Sequence, residues 1–456
     1  MTAATFAFSL ATLIIMPALA AIERETGASA VLASWLITAY LIASTIAVPF
    51  AGRLGDMLGK RQVLLWSLGL FALGCTICAL GAGSIAALLA GRVLQGASAA
   101  VFPMSFGIVR DALPRERVAQ SVALISGMYG VGGGIGLVVA GATVDRLGIA
   151  GMFWLSLVVA LVAMRAVWRQ VPESPRRVQA SIDWLGGLLL SAALTSALLG
   201  ISLGPGHGWF SAAVIGLVVG GMGLGVLFVG HERRVSDPMV DLGVLSERAV
   251  WVPNLAGVWL GFTMFGSYLL VVTLLTAPRG GAAGFGLDTR GVALMMFPAS
   301  MATLVFSHVG GRIGARRGSY VALAIGVGLL VLANLLFAGL HGALWIVAGV
   351  TVILGAGTAF ALAALPNLIL EAVPPNHSGI ATGINVIARN LGGALGTQAV
   401  ATLLASGLGD DGRTSGVAFA LAFCVCAATA AAAGAVCGLP RRGARDAAGV
   451  ARQSVL

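Results

Sequence analysis

The sequence predicts an all-α integral membrane protein of fourteen transmembrane helices, two six-helix bundles with two central helices inserted between them. Three observations predict it. The 456 residues are 58% hydrophobic and only 10% charged, with a mean hydropathy of +0.98, which leaves too little polar surface for a water-soluble globule. Apolar runs of about twenty residues, the length a helix needs to cross a hydrocarbon core of roughly 30 Å, recur fourteen times along the chain. A glycine-spaced basic bridge, Gly52-Arg-Leu-Gly-Asp-Met-Leu-Gly-Lys-Arg-Gln62, returns as Gly311-Arg-Ile-Gly-Ala-Arg-Arg-Gly318, with glycines at the same first, fourth and eighth positions.

Backbone groups left unpaired in hydrocarbon exclude everything but helices and closed barrels, so each run is read as a helix. The runs lie near 3–22, 32–51, 62–81, 84–108, 118–142, 150–168, 183–204, 209–230, 250–275, 289–309, 319–340, 342–370, 378–405 and 416–438. The first, Thr2 to Ile22, lacks the charged segment and small-residue cleavage site of a removed signal and is expected to be retained. Taking the two bridges as corresponding points divides the chain into an N-terminal bundle (1–168), a linker carrying two inserted helices (169–249), a C-terminal bundle (250–438) and a cytoplasmic tail (439–456). Two related halves with a site between them near the midplane is a transporter plan.

Orientation follows from the basic residues, which are retained on the cytoplasmic side of spans. Twenty of them fall in loops on one side: Arg53, Lys60, Arg61, Arg110, Arg115, Arg117, Arg165, Arg169, Arg176, Arg177, Arg233, Arg234, Arg248, Arg312, Arg316, Arg317, Arg441, Arg442, Arg445 and Arg452. The other side has five, Arg24, Arg146, Arg279, Arg290 and Arg413. Both termini are therefore expected in the cytoplasm.

Several functions are argued against by what the chain contains. The formal charge of +10 is scattered through short loops and not grouped with aromatics on a polar domain, so no nucleic-acid partner is expected. The cysteines Cys75, Cys78, Cys424, Cys426 and Cys437 lie within apolar runs, where they pack as small soft side chains; no metal and no cofactor are expected. No Gly-x-x-x-x-Gly-Lys-Ser/Thr loop is present, which argues against direct ATP drive.

In the first bridge Gly52, Gly55 and Gly59 permit a tight turn and close helix approach, while Asp56 can lie near a helix amino end that favours a carboxylate. Arg92-Val-Leu-Gln-Gly96 follows in the fourth run, Arg110-Asp111 at its end, and a glycine-rich stretch from Gly127 to Gly141 in the fifth. These segments resemble the major facilitator superfamily: Gly52 to Gln62 is similar to its motif A loop, Arg92 to Gly96 to its Arg-x-x-Gln-Gly signature, and the fifth run to its exporter motif. Fourteen runs instead of twelve resemble the drug:proton antiporter branch. The resemblance implies alternating access, with Asp56, Lys60, Arg110 and Asp111 in a charge cluster that gates the cytoplasmic helix ends. Ala315 stands where the first bridge has Asp56, so an asymmetric lock is expected. The exporter motif is carried at Gly132, Gly136 and Gly141, but Leu137 replaces its proline and Ala140 a glycine, which leaves the direction of transport open.

Arg92 and Arg389 lie inside spans, where a cation costs about 2.5–3.5 kcal/mol unless it meets a cavity or partner. With Gln95, Asn385, Trp259 and Tyr268 they are the candidate substrate-binding residues. Asn390 and Gln398 accompany Arg389, and Phe262, Phe265, Met295 and Met296 supply adaptable apolar surface. Every Asp and Glu falls in a loop or at a span end, and Ala11 and Leu13 occupy the first run where relatives that expel cations carry an acid. Two arginines without an acid repel lipophilic cations; a neutral or anionic hydrophobic substrate is expected. Protons are the expected coupling ion, through Asp56, Asp111, the substrate itself or His308. The expectation is thus a monomeric proton-coupled exporter of a small amphipathic compound in a bacterial inner membrane. An importer or exchanger of a metabolite on the same fold, and a multispan membrane enzyme, are the alternatives.

Overall fold

The computed structural model describes residues 1–13, 15–173, 181–278, 284–340, 342–374, 378–407 and 414–438. Arg176, Arg177, Arg279, Arg413, Arg441, Arg442, Arg445, Arg452 and the expected cytoplasmic tail lie outside the described residues. The described residues are almost wholly helical. The first half comprises α1 (Thr2–Leu13), α2 (Ile15–Thr26), α3 (Ala30–Leu58), α4 (Lys60–Leu80), α5 (Ile85–Ala97), α6 (Val101–Ala112) and α7 (Arg115–Gln170). Then come α8 (Trp184–His207), α9 (Ala212–Glu232) and the single turn α10 (Leu242–Ser246). The second half comprises α11 (Arg248–Thr276), α12 (Thr289–Arg317), α13 (Ser319–Gly339), α14 (Leu344–Ala372), α15 (Ser378–Ser406) and α16 (Gly416–Gly438).

Among the described residues twelve stretches are long and apolar enough to cross a membrane, against fourteen runs read from the sequence. The α1–α2 pair and α15 make the difference. Residue 14, outside the described residues, divides the first run into α1 and α2 of 12 residues each, and α15 carries Asn385, Arg389, Asn390, Gln398 and several glycines, which lower its hydropathy. The single run near 84–108 is two helices, α5 and α6, separated at Ser98. The runs near 118–142 and 150–168 are joined within α7, which breaks only at Gly148, φ 65°. Arg61 donates to the Trp168 carbonyl at 2.6 Å while its neighbour Lys60 holds Asp111. Both ends of α7 therefore lie at the same side, and the chain reverses at Gly148.

Side-chain oxygens start many of the helices by accepting orphan backbone N–H groups. Ser29 accepts from Leu32, Asp183 from Gly186, Ser211 from Val214 and Asp288 from Gly291. The first and the eighth glycines of the repeated bridge have separate reasons. Gly59 (φ 114°) and Gly318 (φ 94°) are one-residue connectors between α3 and α4 and between α12 and α13, in a backbone region that side chains rarely adopt. At the first position, a Cβ on Gly52 would lie 3.2 Å from the backbone of Ile380, and one on Gly311 would lie 2.5 Å from Ala123.

Two apolar clusters form the interior. One gathers buried side chains mainly from α1 to α7, including Phe8, Phe71, Phe102 and Phe153. The other runs from Ala256 to Ala433 and includes Phe337, Phe360, Phe419 and Phe423. A smaller cluster of Phe228, Met239 and Val240 packs against Phe50 and Ile384, so the segment after α9 folds back onto α3 and α15. The helix α8 also touches α3 and α15.

Candidate functional site

The helices enclose a cavity of about 400 Å³ lined by α3, α5, α7, α8, α11, α12, α14 and α15. This is within the ~300–1,000 Å³ usual for small-molecule sites. Glycines let the walls approach. A Cβ on Gly130 or Gly134 of α7 would collide with Thr303 or Ser300 of α12, and one on Gly355 with the backbone of Ala299. The lining is mostly apolar, with Tyr40, Tyr129, Met264, Phe265, Tyr268 and Met296. Among the described residues Arg92 is the charged side chain of the lining, and none of the described carboxylates lines it.

Arg92 is 1% exposed. Its Nε donates to the Leu36 carbonyl at 3.0 Å, Nη1 donates to Gln95 Oε1 at 2.8 Å, and the guanidinium lies 4.3 Å from the Tyr40 ring centroid. Gln95 stands behind it, donating in turn to Cys75 Sγ at 3.4 Å. Arg389 sits on α15 behind the cavity surface, with Cζ 5.7 Å from the ring centroid of Tyr129. Tyr268 lines the cavity. Asn385 does not; it donates to the Pro253 carbonyl at 3.3 Å and ties α15 to α11. Trp259 also lies off the cavity and packs half-buried against the second apolar cluster. The cavity thus collects Arg92 and Tyr268, with Arg389 just behind its wall, whereas Gln95, Asn385 and Trp259 support the surrounding helices.

Tyr129, Tyr40 and the α8 residues Leu198, Ile201 and Ser202 were not singled out from the sequence. An aromatic one residue before Gly130 was the available signal for Tyr129. For α8 there was none, because a helix that is apolar all round does not disclose which face it buries.

At the ends of α3, α4 and α6 lies a second constellation. Lys60, 1% exposed, contacts Asp111 Oδ2 at 2.7 Å and Asp56 Oδ1 at 3.6 Å. The Asp56 carboxylate rests against Gly379 in the first turn of α15, about 3.2 Å from where a Cβ would stand, a helix end that favours a negative charge. Arg110 donates to the carbonyls of Val373 and Pro374 just past α14, where a cation is favoured. Gly55 leaves room for Met104, and Gly59 for Glu173. In the second half Ser319 occupies the position of Lys60 and donates to Glu371 Oε1 at 2.7 Å; with Ala315 in place of Asp56, this copy has a neutral donor and one acid. His308 contacts Gln120 of α7 at 3.3 Å.

The exporter-motif glycines bring α7 onto α1. A Cβ on Gly132 would lie 2.6 Å from Ser9 and one on Gly136 2.6 Å from the Leu10 carbonyl. Gly141 lies farther along α7.

Residues 1–397 match the Major Facilitator Superfamily. The chain belongs to this family. It is 28% identical over 401 residues to the tetracenomycin C resistance and export protein of Streptomyces glaucescens, covering 86% of this chain and 72% of that protein. It is 28% identical over 412 residues to the multidrug resistance protein Stp of Mycobacterium tuberculosis, covering 88% and 74%. The uridine/deoxyuridine transporter of Lactococcus lactis is 28% identical over 439 residues, covering 91% and 88%. The crystal structure of the human organic anion transporter MFSD10 superposes with a TM-score of 0.71 at 18% identity, covering 96% and 97% of the two chains, a likeness of fold. This family member is a multi-pass membrane protein.

Proposed function

We propose that this major facilitator superfamily protein is a secondary active transporter of the bacterial inner membrane that exports small hydrophobic or amphipathic compounds, neutral or anionic, by alternating access. The observation that carries the reading is the cavity between the two apolar clusters, walled by both halves and holding, among the described residues, a guanidinium but no carboxylate. The export and drug-resistance names of the Streptomyces and Mycobacterium relatives support the direction. In this reading α1 with α2, and α15, each complete a span, giving fourteen in two six-helix bundles (1–168 and 250–438) with α8 and α9 inserted, and both termini are cytoplasmic.

The Lys60, Asp56 and Asp111 group is the gate. It joins the end of α3 to α4 and α6, and through Asp56 to the start of α15 in the other half, so the cytoplasmic ends separate only when Asp56 leaves α15. Proton entry drives export, and a monomer suffices because the cavity is complete within one chain. Inverted membrane vesicles with an imposed pH gradient test this. An aromatic acid should accumulate in the lumen when the lumen is acidified, and collapse of the gradient should abolish accumulation. Accumulation independent of the gradient would overturn the coupling; none with any member of a drug panel would overturn export.

A further inference from the structure

The two arginines buried in the helices are held in opposite ways. Arg92 already has the Leu36 carbonyl, the Gln95 amide oxygen and the Tyr40 ring. Arg389 is 6% exposed, pairs with no carboxylate among the described residues, and its Nε has no hydrogen-bond partner. Its neighbour is the face of Tyr129, contributed by the opposite half. Tyr268 lines the same cavity as Tyr129, and its buried hydroxyl also has no hydrogen-bond partner. Two donors without acceptors, the cationic Arg389 Nε and the neutral Tyr268 hydroxyl, therefore stand just behind and at the wall of the cavity that Tyr129 also lines. A buried donor without an acceptor is unfavourable, and a buried cation without a counter-charge more so. What the site lacks is an anionic acceptor.

We propose that Arg389 and Tyr268 are the anion-recognition pair of the transport cavity. They receive the carboxylate or ionised phenolic oxygen of a hydrophobic aromatic acid, and the Tyr129 ring leaves Arg389 as that oxygen arrives. One guanidinium brings a single positive charge, which balances a singly charged oxygen group and leaves a doubly charged phosphate half-neutralised in a buried site. Phe265, Met264 and Met296 supply the apolar surface on which an aromatic body packs. Arg92, by contrast, braces α5 against α3. Because Tyr129 belongs to the first half and Arg389 to the second, the bound acid replaces a contact between the halves, so occupancy loosens the seam that must open.

This assignment rests on reading the cavity as the transport site, and equilibrium binding separates it from transport. The purified full-length protein in detergent is titrated with dansylglycine, its methyl ester and the cationic dansylcadaverine, read by dansyl fluorescence. The wild type is expected to bind the acid about tenfold more tightly than the ester, with the cation weakest. Arg389→Gln should bring the acid-to-ester ratio close to one while retaining ester affinity, which also reports an intact cavity. Arg389→Lys should keep part of the preference, Tyr268→Phe should lose part of it, and Tyr129→Leu should raise the ratio by uncovering Arg389. A wild-type ratio near one, an unchanged ratio in Arg389→Gln, or equal loss of both neutral and acidic probes in Arg389→Gln and Arg389→Lys would overturn the pair. Gradient-driven export in vesicles that persists with any of these results would leave the transport reading standing.

Discussion

Lys60 illustrates what a buried charge demands of its neighbours. With 1% of its side chain exposed and carboxylates at 2.7 and 3.6 Å, it neutralises two acids that would otherwise be buried together. Lys60→Met therefore removes the cation that sits between Asp56 and Asp111, and breaking such a buried group is expected to cost about 3–5 kcal/mol. A thermal melt of the detergent-solubilised protein measures it. Asp56→Asn is milder, since the amide keeps the shape and removes only the charge at the start of α15; expression should hold while transport falls. Unaltered flux in that variant would show that Asp56 has no gating role. The second bridge, where Ser319 meets Glu371, is expected to respond differently. Ser319→Ala removes a single neutral hydrogen bond to a carboxylate at an exposed Glu371, and its effect on the melt should stay near 1 kcal/mol.

Among the helices, α7 carries the most from the sequence's glycines. It is squeezed between α1 and α12: Gly132 and Gly136 face α1, and Gly127, Gly130 and Gly134 face Ser307, Thr303 and Ser300 of α12. Small residues are how membrane helices approach closely. Gly134→Val should force α7 from α12 and abolish transport, whereas Gly216→Ala on α9, with nothing within 4 Å of the new Cβ, should transport like the wild type. Transport assays in vesicles with expression-matched protein compare the two. This helix also marks what was legible beforehand. Its glycine-rich run and the repeated bridges were readable because spacing is a property of sequence. Tyr129 was not, because only the rotation of α7 against α12 and α15 brings its ring over Arg389. For α15 the difficulty ran the other way: Arg389 and the amides that drew attention to it are the residues that keep it below the hydropathy of a membrane span. Trp259, prominent in an aromatic-rich run, turns toward the second apolar cluster and away from the cavity.

Over the molecule as a whole, the halves meet along two unlike seams. On one, Asp56 lies at the start of α15 and Gly52 against Gly379 and Ile380; on the other, α7 and α12 are joined through glycine-to-hydroxyl packing, and Asn367 of α14 donates to the Ala119 carbonyl of α7 at 3.1 Å. The charges of the first seam are buried, 1% exposed at Lys60 and 3% at Asp56, so salt screens them little. A disulfide across the ionic seam is the sharpest probe of alternating access. Because Gly52→Cys and Gly379→Cys both crowd the facing helix, the reduced double variant sets the baseline; oxidation should lower its transport and a reductant should return it to that baseline, whereas a rate unchanged by cross-linking would mean that this seam never parts. Each half contributes its own apolar cluster, so the cross-link is expected to leave the melt of either half little changed.

The chamber also has a wall that neither cluster supplies. Leu198, Ile201 and Ser202 of α8 reach the cavity, while its companion α9 shows Ile215, Val219, Met222 and Val226 to the surroundings. Such a panel can be altered with little consequence for the gate or the glycine seam. Selectivity is then free to drift by substitution in one helical hairpin, so paralogues could acquire different cargoes while their conformational machinery stays the same.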